Sequence, residues 1–538
     1  MNAVRDIAEL CDRCGVALHY SSFWGEDKHV GEATLRRALA AMGVTLKEPP
    51  LGADARFPQV QVAREGSPLR AAWHGEPCGV AWQLTPFEAA AGARARKGEI
   101  QSRGDARELE LPGDLERGYW HLTVGGNKEP CLVIVAPQRC WTPAKLQDST
   151  ERWWGLTVQL YALKSSHDWG IGDFGDLRRL AEIASRQGAS FIGLSPLHAL
   201  FPDRPELASP YSPSSRNALN PIYLDVQLLL DQGDCREAAV HVNSDAFQER
   251  LHALRATELV DYAGVSAAKE EVLLMLWRHF EAKEAGRNPS RAAHFEAFAQ
   301  ERERTLGRHA LFEALQAHFH RQDHRVWGWP AWPQPYRDVE GEAVQAFARE
   351  HASDVRFRLW LQWLAESQLE SVQRYARGRG MGLGLYCDLA VGSNEGGAET
   401  WVQPHLYALG MHVGAPPDPL NALGQDWGLP PVNPVALRAA RFAPWIETLR
   451  ANMRHAGALR LDHVMSLMRL FWTTEGDGTY VRYPLEEMLG ILALESHRHE
   501  CMVIGEDLGN VVPRMREAMA QHTLLSYRPL LFERTPDG

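Results

Sequence analysis

From about residue 154 onward, short apolar runs alternate with longer amphipathic stretches, strand then helix then strand, and that rhythm confines the chain to a parallel α/β architecture. Leu156 to Leu163 reads as the first strand, Leu177 to Ser185 as an amphipathic helix and Ser190 to Leu194 as the second strand, joined by the short loops parallel strands use. Phe357 to Tyr375 reads as a further helix, feeding a strand Leu383 to Cys387 that ends in Asp388. Ala458 to Leu461 and Cys501 to Ile504 follow as strands, then a helix Pro513 to Met519 and a last strand Ser526 to Phe532. About six strands of this kind predict a (β/α)8 TIM-type barrel that is incomplete within the sequence, because eight strands close such a sheet. A charged stretch over about 228–350, with Arg, Glu, Ala and His in 3.6-like order, reads as a long helical insertion.

The barrel segment is expected over 141–538. Before it, 1–52 reads as small helices, with Leu35, Leu39 and Met42 on one stripe of Glu32 to Met42. Over 53–140 the period changes to short β-type runs such as Val60 to Val62, Val80 to Leu84, Glu108 to Leu111, Gly118 to Val124 and Cys131 to Val135, set between Gly and Pro turns. This pattern predicts an all-β, sandwich-like domain whose expected role is packing.

The net charge of -11 and the lack of a long Lys/Arg run argue against nucleic acid or an anionic membrane as partner. Acidic residues break up the N-terminal stretch and no window approaches a membrane span, so a cytoplasmic location is expected. The 8 cysteines are scattered, which suits reduced buried thiols, and Cys11-Asp12-Arg13-Cys14 lacks the second pair a metal site needs. No cofactor is expected. Among the 18 tryptophans, Trp329, Trp332 and Trp427 lie in Pro- or Gly-rich loop sequence and are expected to be exposed.

Two strand ends carry the chemistry. Asp462, in Arg460-Leu461-Asp462-His463, and Glu506, in Ile504-Gly505-Glu506-Asp507, each fall where a buried strand stops and a loop begins, the place where barrels carry catalytic side chains. A retaining reaction at a glycosidic bond needs two such carboxyls, one ionised and one protonated, about 5–5.5 Å apart. One strand-helix-strand step separates them, so neighbouring strands can bring them together. Trp169 to Gly175 also fits the G-x-G-x-x-G pattern between a strand and a helix. A dinucleotide is nevertheless discounted: the next strand ends Leu194-Ser195-Pro196-Leu197-His198 without a ribose-binding acid, and Asp173 sets negative charge where a pyrophosphate would lie.

Trp154 to Tyr161, the Trp169 to Asp176 turn, Ser209-Pro210-Tyr211-Ser212-Pro213-Ser214-Ser215-Arg216, Gly414 to Asp418, Gly424 to Gly428 and the two acid motifs together resemble the 4-α-glucanotransferases, the amylomaltase group of glycoside hydrolase family 77, from about Trp154 to Phe532. The N-terminal 140 residues resemble the long bacterial form less specifically. The resemblance implies transfer of α-1,4-glucan segments from a maltooligosaccharide donor to the 4-hydroxyl of another glucan. Asp462 is then the nucleophile and Glu506 the acid and base, while Arg460 holds Asp462 ionised and His463 reaches the adjacent sugar. Asp388 lines a donor subsite and Tyr211, with Ser209 in the same loop, an acceptor subsite. Asp418 and Trp427 belong to a segment that covers the bound chain, with Trp427 offering a stacking face.

One element of the family pattern is missing. Enzymes of this clan use a third carboxylate, an Asp after a His near the seventh strand, and after Glu506 the sequence offers only Asp507 and Asp537. That acid is expected beyond residue 538, as are the last two strands, and the 538-residue polypeptide alone is expected to have little transferase activity. The alternative readings are an α-glucan hydrolase, which makes no product longer than its substrate, and a catalytically silent glucan-binding protein.

Overall fold

The computed structural model describes residues 2–44, 59–72, 80–89, 92–99, 108–125, 130–147, 150–233, 235–284, 289–419, 421–474 and 476–532. The chain forms two compact units, one of 1–147, 405–450 and 460–538, the other of 148–404 with 451–459.

Six parallel-sheet strands, Gly155–Val158, Phe191–Leu194, Gly384–Leu389, Ala458–Leu461, Met502–Gly505 and Leu525–Ser526, are hydrogen-bonded in chain order. Leu156 pairs with Ile192, Ile192 with Leu385, and Ile504 with Leu525, all in parallel register. Their side chains are largely buried from Ile192 to Ile504, which is why they read as unbroken apolar runs. The first and last strands are shorter than expected. Residues 160–162 turn into a 3-10 helix, and Leu530–Phe532 is another 3-10 turn, with Leu530 and Leu531 exposed.

The insertion is helical, running from Val226–Gln232 through Tyr262–His279 and Arg308–Gln322 to Glu342–Glu350. Behind it lies the 27-residue helix Ala352–Gly378. Three glutamines on that helix bind neighbouring backbone at both its donor and its acceptor: Gln362 with Leu219, Gln368 with Asp225, and Gln373 with Leu385 N–H (2.7 Å) and Leu383 C=O (3.0 Å). Buried amides satisfied at both ends fix the register of helix against strand. Trp332 departs from its expected exposure. It is fully buried among Phe312, Phe319 and Trp401, because the 3-10 turn Trp329–Ala331 folds it onto helix Arg308–Gln322.

In the other unit, the β-type segment forms a five-stranded sheet in the order Val60–Arg64, Cys131–Ala136, Gly118–Val124, Ala81–Ala89, Arg96–Glu99, together with a separate antiparallel pair of strands, Leu69–Ala72 and Glu108–Leu111. Trp82, Leu84, Trp120, Leu122 and Val133 fill its core. Two further features were not expected: a hairpin, His19–Ser21 with Asp27–His29, and an antiparallel sheet ordered Gln425–Asp426, His412–Ala415, Arg469–Thr474, Asp477–Arg482. Tyr20 of the hairpin packs edge-on against Phe471 (5.5 Å) and Tyr480 (5.7 Å), and Ala17 N–H donates to Tyr480 C=O, which ties the N-terminal segment to that sheet. Cys11, Cys14, Cys131, Cys140, Cys235, Cys387 and Cys501 are buried free thiols; Cys78 lies outside the described residues. Among the described residues no helix is long and apolar enough to cross a membrane.

Candidate active site

The parallel ladder continues past the ends of the fourth and fifth strands. Glu506 N–H donates to Leu461 C=O and Val464 N–H donates to Glu506 C=O, both at 3.0 Å, so Asp462 lies between two backbone bonds to the residue expected to be its partner. Both side chains are half-buried. Arg460 shares a strand face with Asp462, as residues i and i+2 must, and its guanidinium reaches Asp462 Oδ1 at 2.9 Å. The same guanidinium lies over the Tyr527 ring, 5.2 Å from its centroid.

Glu506 is held at both oxygens: Oε2 accepts His463 N–H and Oε1 accepts Leu508 N–H, each at 2.9 Å. Burial pushes its carboxyl above the usual range and the nearby Asp462 charge adds to that, against the two backbone N–H groups. Burial also raises Asp462, while the Arg460 charge and hydrogen bond pull it down. The expected pairing is thus present, but burial outweighs it and the net direction for Asp462 is upward.

His463 adopts a left-handed backbone, φ 46°, a conformation costing a non-glycine residue on the order of 1 kcal/mol. Its N–H thereby serves Glu506 while its ring meets Trp427 edge-on at 5.2 Å. Burial and the Arg469 charge push the imidazole down to about 4, so it is neutral near pH 7. Trp427 is half-buried and is fixed by its indole N–H on Gln425 Oε1 (3.1 Å). Asp418 sits in the turn between strands His412–Ala415 and Gln425–Asp426, where its Oδ1 accepts Asn421 N–H at 2.7 Å.

In the second unit, Tyr211 and Asp388 come together: the phenol donates to Asp388 Oδ2 at 2.8 Å, with Asp388 buried at the end of the third strand and Tyr211 exposed. Ser209 C=O accepts Ser212 N–H, and Asn394 Nδ2 donates to Ser212 Oγ at 3.0 Å, shaping the loop that carries the phenol. Sequence reasoning missed the ion pair of buried Arg216 with half-buried Glu399 (2.6 Å), which anchors the same loop, although Arg216 closes the Ser-Pro-Tyr motif. It also missed His198, whose Nε2 accepts Ala390 N–H (3.2 Å) and whose ring is pushed down to about 3 by burial.

The glycine motif serves packing. Asp173 caps helix Phe174–Arg186 by accepting from Gly175 and Asp176 N–H, so its carboxylate occupies the helix terminus a pyrophosphate would need. A Cβ on Gly172 would lie 2.2 Å from Leu160 C=O, and one on Gly175 2.1 Å from the Asp225 carboxylate.

A parallel barrel sheet with two acids at adjoining strand ends is the arrangement of carbohydrate-active barrel enzymes. A family model described as 4-alpha-glucanotransferase, glycoside hydrolase family 77, matches residues 158–538, and the chain belongs to that family. A second model, described as the MalQ N-terminal beta sandwich domain, matches residues 56–137. The 4-alpha-glucanotransferase of Haemophilus influenzae is 35% identical over 545 residues, covering 98% of this chain and 75% of the relative. That of Mycobacterium tuberculosis is 35% identical over 572 residues, covering 99% and 76%. Among solved structures, amylomaltase from Corynebacterium glutamicum superposes with a TM-score of 0.80 at 31% identity over 100% of this chain and 76% of that one. Amylomaltase from Streptococcus agalactiae shares the fold, with a TM-score of 0.59 at 21% identity over 70% and 73%. The fold is the TIM-type barrel of this family.

Proposed function

We propose that this protein transfers segments of α-1,4-glucan from a donor maltooligosaccharide to the 4-hydroxyl of an acceptor glucan, in the cytoplasm, by two successive displacements at one anomeric carbon. The observation that carries the reading is the bonded junction of the two strand ends, with Arg460 on one carboxylate and two backbone N–H groups on the other.

Burial raises both carboxyls; the Arg460 cation, bonded to Asp462, favours the ionised form there, and the Asp462 charge disfavours a second anion on Glu506. This supports a reading in which Glu506 carries the proton of the pair. Asp462 attacks the anomeric carbon as Glu506 gives its proton to the departing glycosidic oxygen; Glu506 then takes a proton from the incoming 4-hydroxyl as the acceptor displaces Asp462. His463, neutral, donates or accepts a hydrogen bond to a sugar hydroxyl without competing for that proton. Trp427 and Asp418 contribute to the segment covering the bound chain and excluding water. Tyr211, Ser209 and Asp388 line further sugar subsites, the phenol keeping Asp388 hydrogen-bonded until a sugar hydroxyl replaces it.

With maltotriose as sole substrate, the protein yields glucose together with oligomers longer than the substrate, read by chromatography. Products no longer than maltotriose would mark a hydrolase instead. The pH profile gives a second check. Arg460 pulls down both carboxyls, so Arg460→Ala raises both. Asp462 must be ionised and Glu506 protonated, and the acid and alkaline limbs therefore both move to higher pH. A profile moving down, or staying in place, rules out this role for Arg460.

A further inference from the structure

Arg460 makes two kinds of contact at once. Its Nη2 meets Asp462 Oδ1 at 2.9 Å, and its Cζ stands over the Tyr527 ring, 5.2 Å from the centroid. An arginine can do both, because its donors lie in the plane of the guanidinium and leave the faces for an aromatic ring.

The two side chains come from strands that are not neighbours. Arg460 belongs to the fourth strand, Ala458–Leu461, and Tyr527 follows the sixth, Leu525–Ser526, with Met502–Gly505 and then Glu506 between them. Strands spaced about 4.8 Å apart put the two backbones roughly 10 Å from each other, so a long side chain must meet a large ring to close the gap. The contact therefore spans the strand that ends in Glu506. The backbone of Tyr527 is held in register with that strand: Gly505 pairs with Ser526, Tyr527 N–H donates to Gly505 C=O at 3.0 Å, and Ser526 Oγ donates to Asp507 Oδ1 at 2.6 Å. Asp507 is itself buried, with its other oxygen 3.5 Å from Arg516 Nε. The ring thus has a fixed base, whereas Arg460 is a flexible chain whose rotamer freedom must be quenched for its charge to stay on one carboxylate.

We propose that Tyr527 is a positioning residue for the reaction, its ring holding the Arg460 guanidinium on Asp462 and beside Glu506. The inference rests on the reading of Asp462 and Glu506 as the reacting pair and adds a residue that acts through Arg460.

The pH profile of glucose release from maltotriose tests it. Transfer and hydrolysis both give glucose, so failure of the transfer reading shows separately, as the absence of longer oligomers from the unaltered protein. Tyr527→Ala should lower kcat by about tenfold, the scale of a cation–π contact. With the guanidinium loose, Asp462 loses part of the charge that favours its ionised form, so the acid limb moves to higher pH, by less than in Arg460→Ala. Tyr527→Phe keeps the ring and should recover both the rate and the profile. Adding Tyr527→Ala to Arg460→Ala should change nothing further, because residues that act through one partner are not additive. In a crystal structure of Tyr527→Ala, the guanidinium should no longer stand 2.9 Å from Asp462. If Tyr527→Ala melts early, Tyr527→Leu, which fills space without an aromatic face, takes its place with the same expectations. Four results would each overturn the proposal: an unchanged rate and profile without the ring, a loss that Tyr527→Phe does not recover, a full further loss on top of Arg460→Ala, or a guanidinium unmoved from Asp462.

Discussion

Asp462→Asn loses transfer by on the order of 10⁴-fold or more, the scale seen when an activated nucleophile is removed from a covalent enzyme, and still binds maltooligosaccharides. Asn has nearly the shape of Asp, and its amide oxygen can accept the Arg460 hydrogen bond now made at 2.9 Å. The guanidinium keeps its place over Tyr527, and the backbone bonds at Leu461, Val464 and Glu506 do not involve the side chain. Folding and ground-state binding should therefore change little. What is lost is the negative charge that attacks the anomeric carbon. The checks are glucose release from maltotriose, calorimetric binding of a maltooligosaccharide, and the melting temperature. Normal turnover would place the nucleophile elsewhere, and loss of fold together with activity would make Asp462 a structural acid.

The parallel strands were legible because burial on both faces leaves few polar residues inside them: Ile192 to Leu194 and Met502 to Ile504 are buried throughout, and polar side chains come where those two strands stop. For the same reason Asp462 and Glu506 stood out as acids at apolar boundaries. The hairpin His19–Ser21 with Asp27–His29 gave no such signal, since its six residues carry no apolar alternation and only pairing with one another makes them strands. The antiparallel sheet around Arg469–Thr474 was hidden by mixed burial and by partners far apart in sequence, such as Val413 opposite Trp472. Trp332 was misjudged because proline-rich context usually means a loop surface, whereas here two 3-10 turns deliver the ring into a core. Within the site, the local pairing of Arg460 with Asp462 follows from strand period, but the phenol of Tyr211 on Asp388 joins residues 177 apart and needs the fold. The left-handed turn at His463 has no marker either, because glycine, which usually signals it, is absent from that position.

Glu506→Gln should cost about 10²–10⁴-fold in transfer, the usual worth of a positioned general acid and base, and its consequences should differ in kind from those of the nucleophile variant. Gln cannot donate an acidic proton, so natural glucans leave slowly. It also has one carbonyl oxygen where Glu506 uses two acceptors, so either Leu508 N–H or His463 N–H must face an amide NH2. One lost backbone bond of this sort costs about 1 kcal/mol or somewhat more, which a lowered melting temperature will report. With a donor whose leaving group departs without protonation, such as a nitrophenyl maltooligosaccharide, the first displacement should recover in Glu506→Gln. The second should not, because no base is left to take the proton of the acceptor. The result is a burst of nitrophenol followed by a slow phase, with sugar bound covalently to the protein. Asp462→Asn has nothing to attack with and should give no burst from the same donor. A burst in both variants, or in neither, would break the assignment of the two carboxyls to successive roles. A burst confined to Glu506→Gln ties the departing oxygen to residue 506 and the new bond to residue 462.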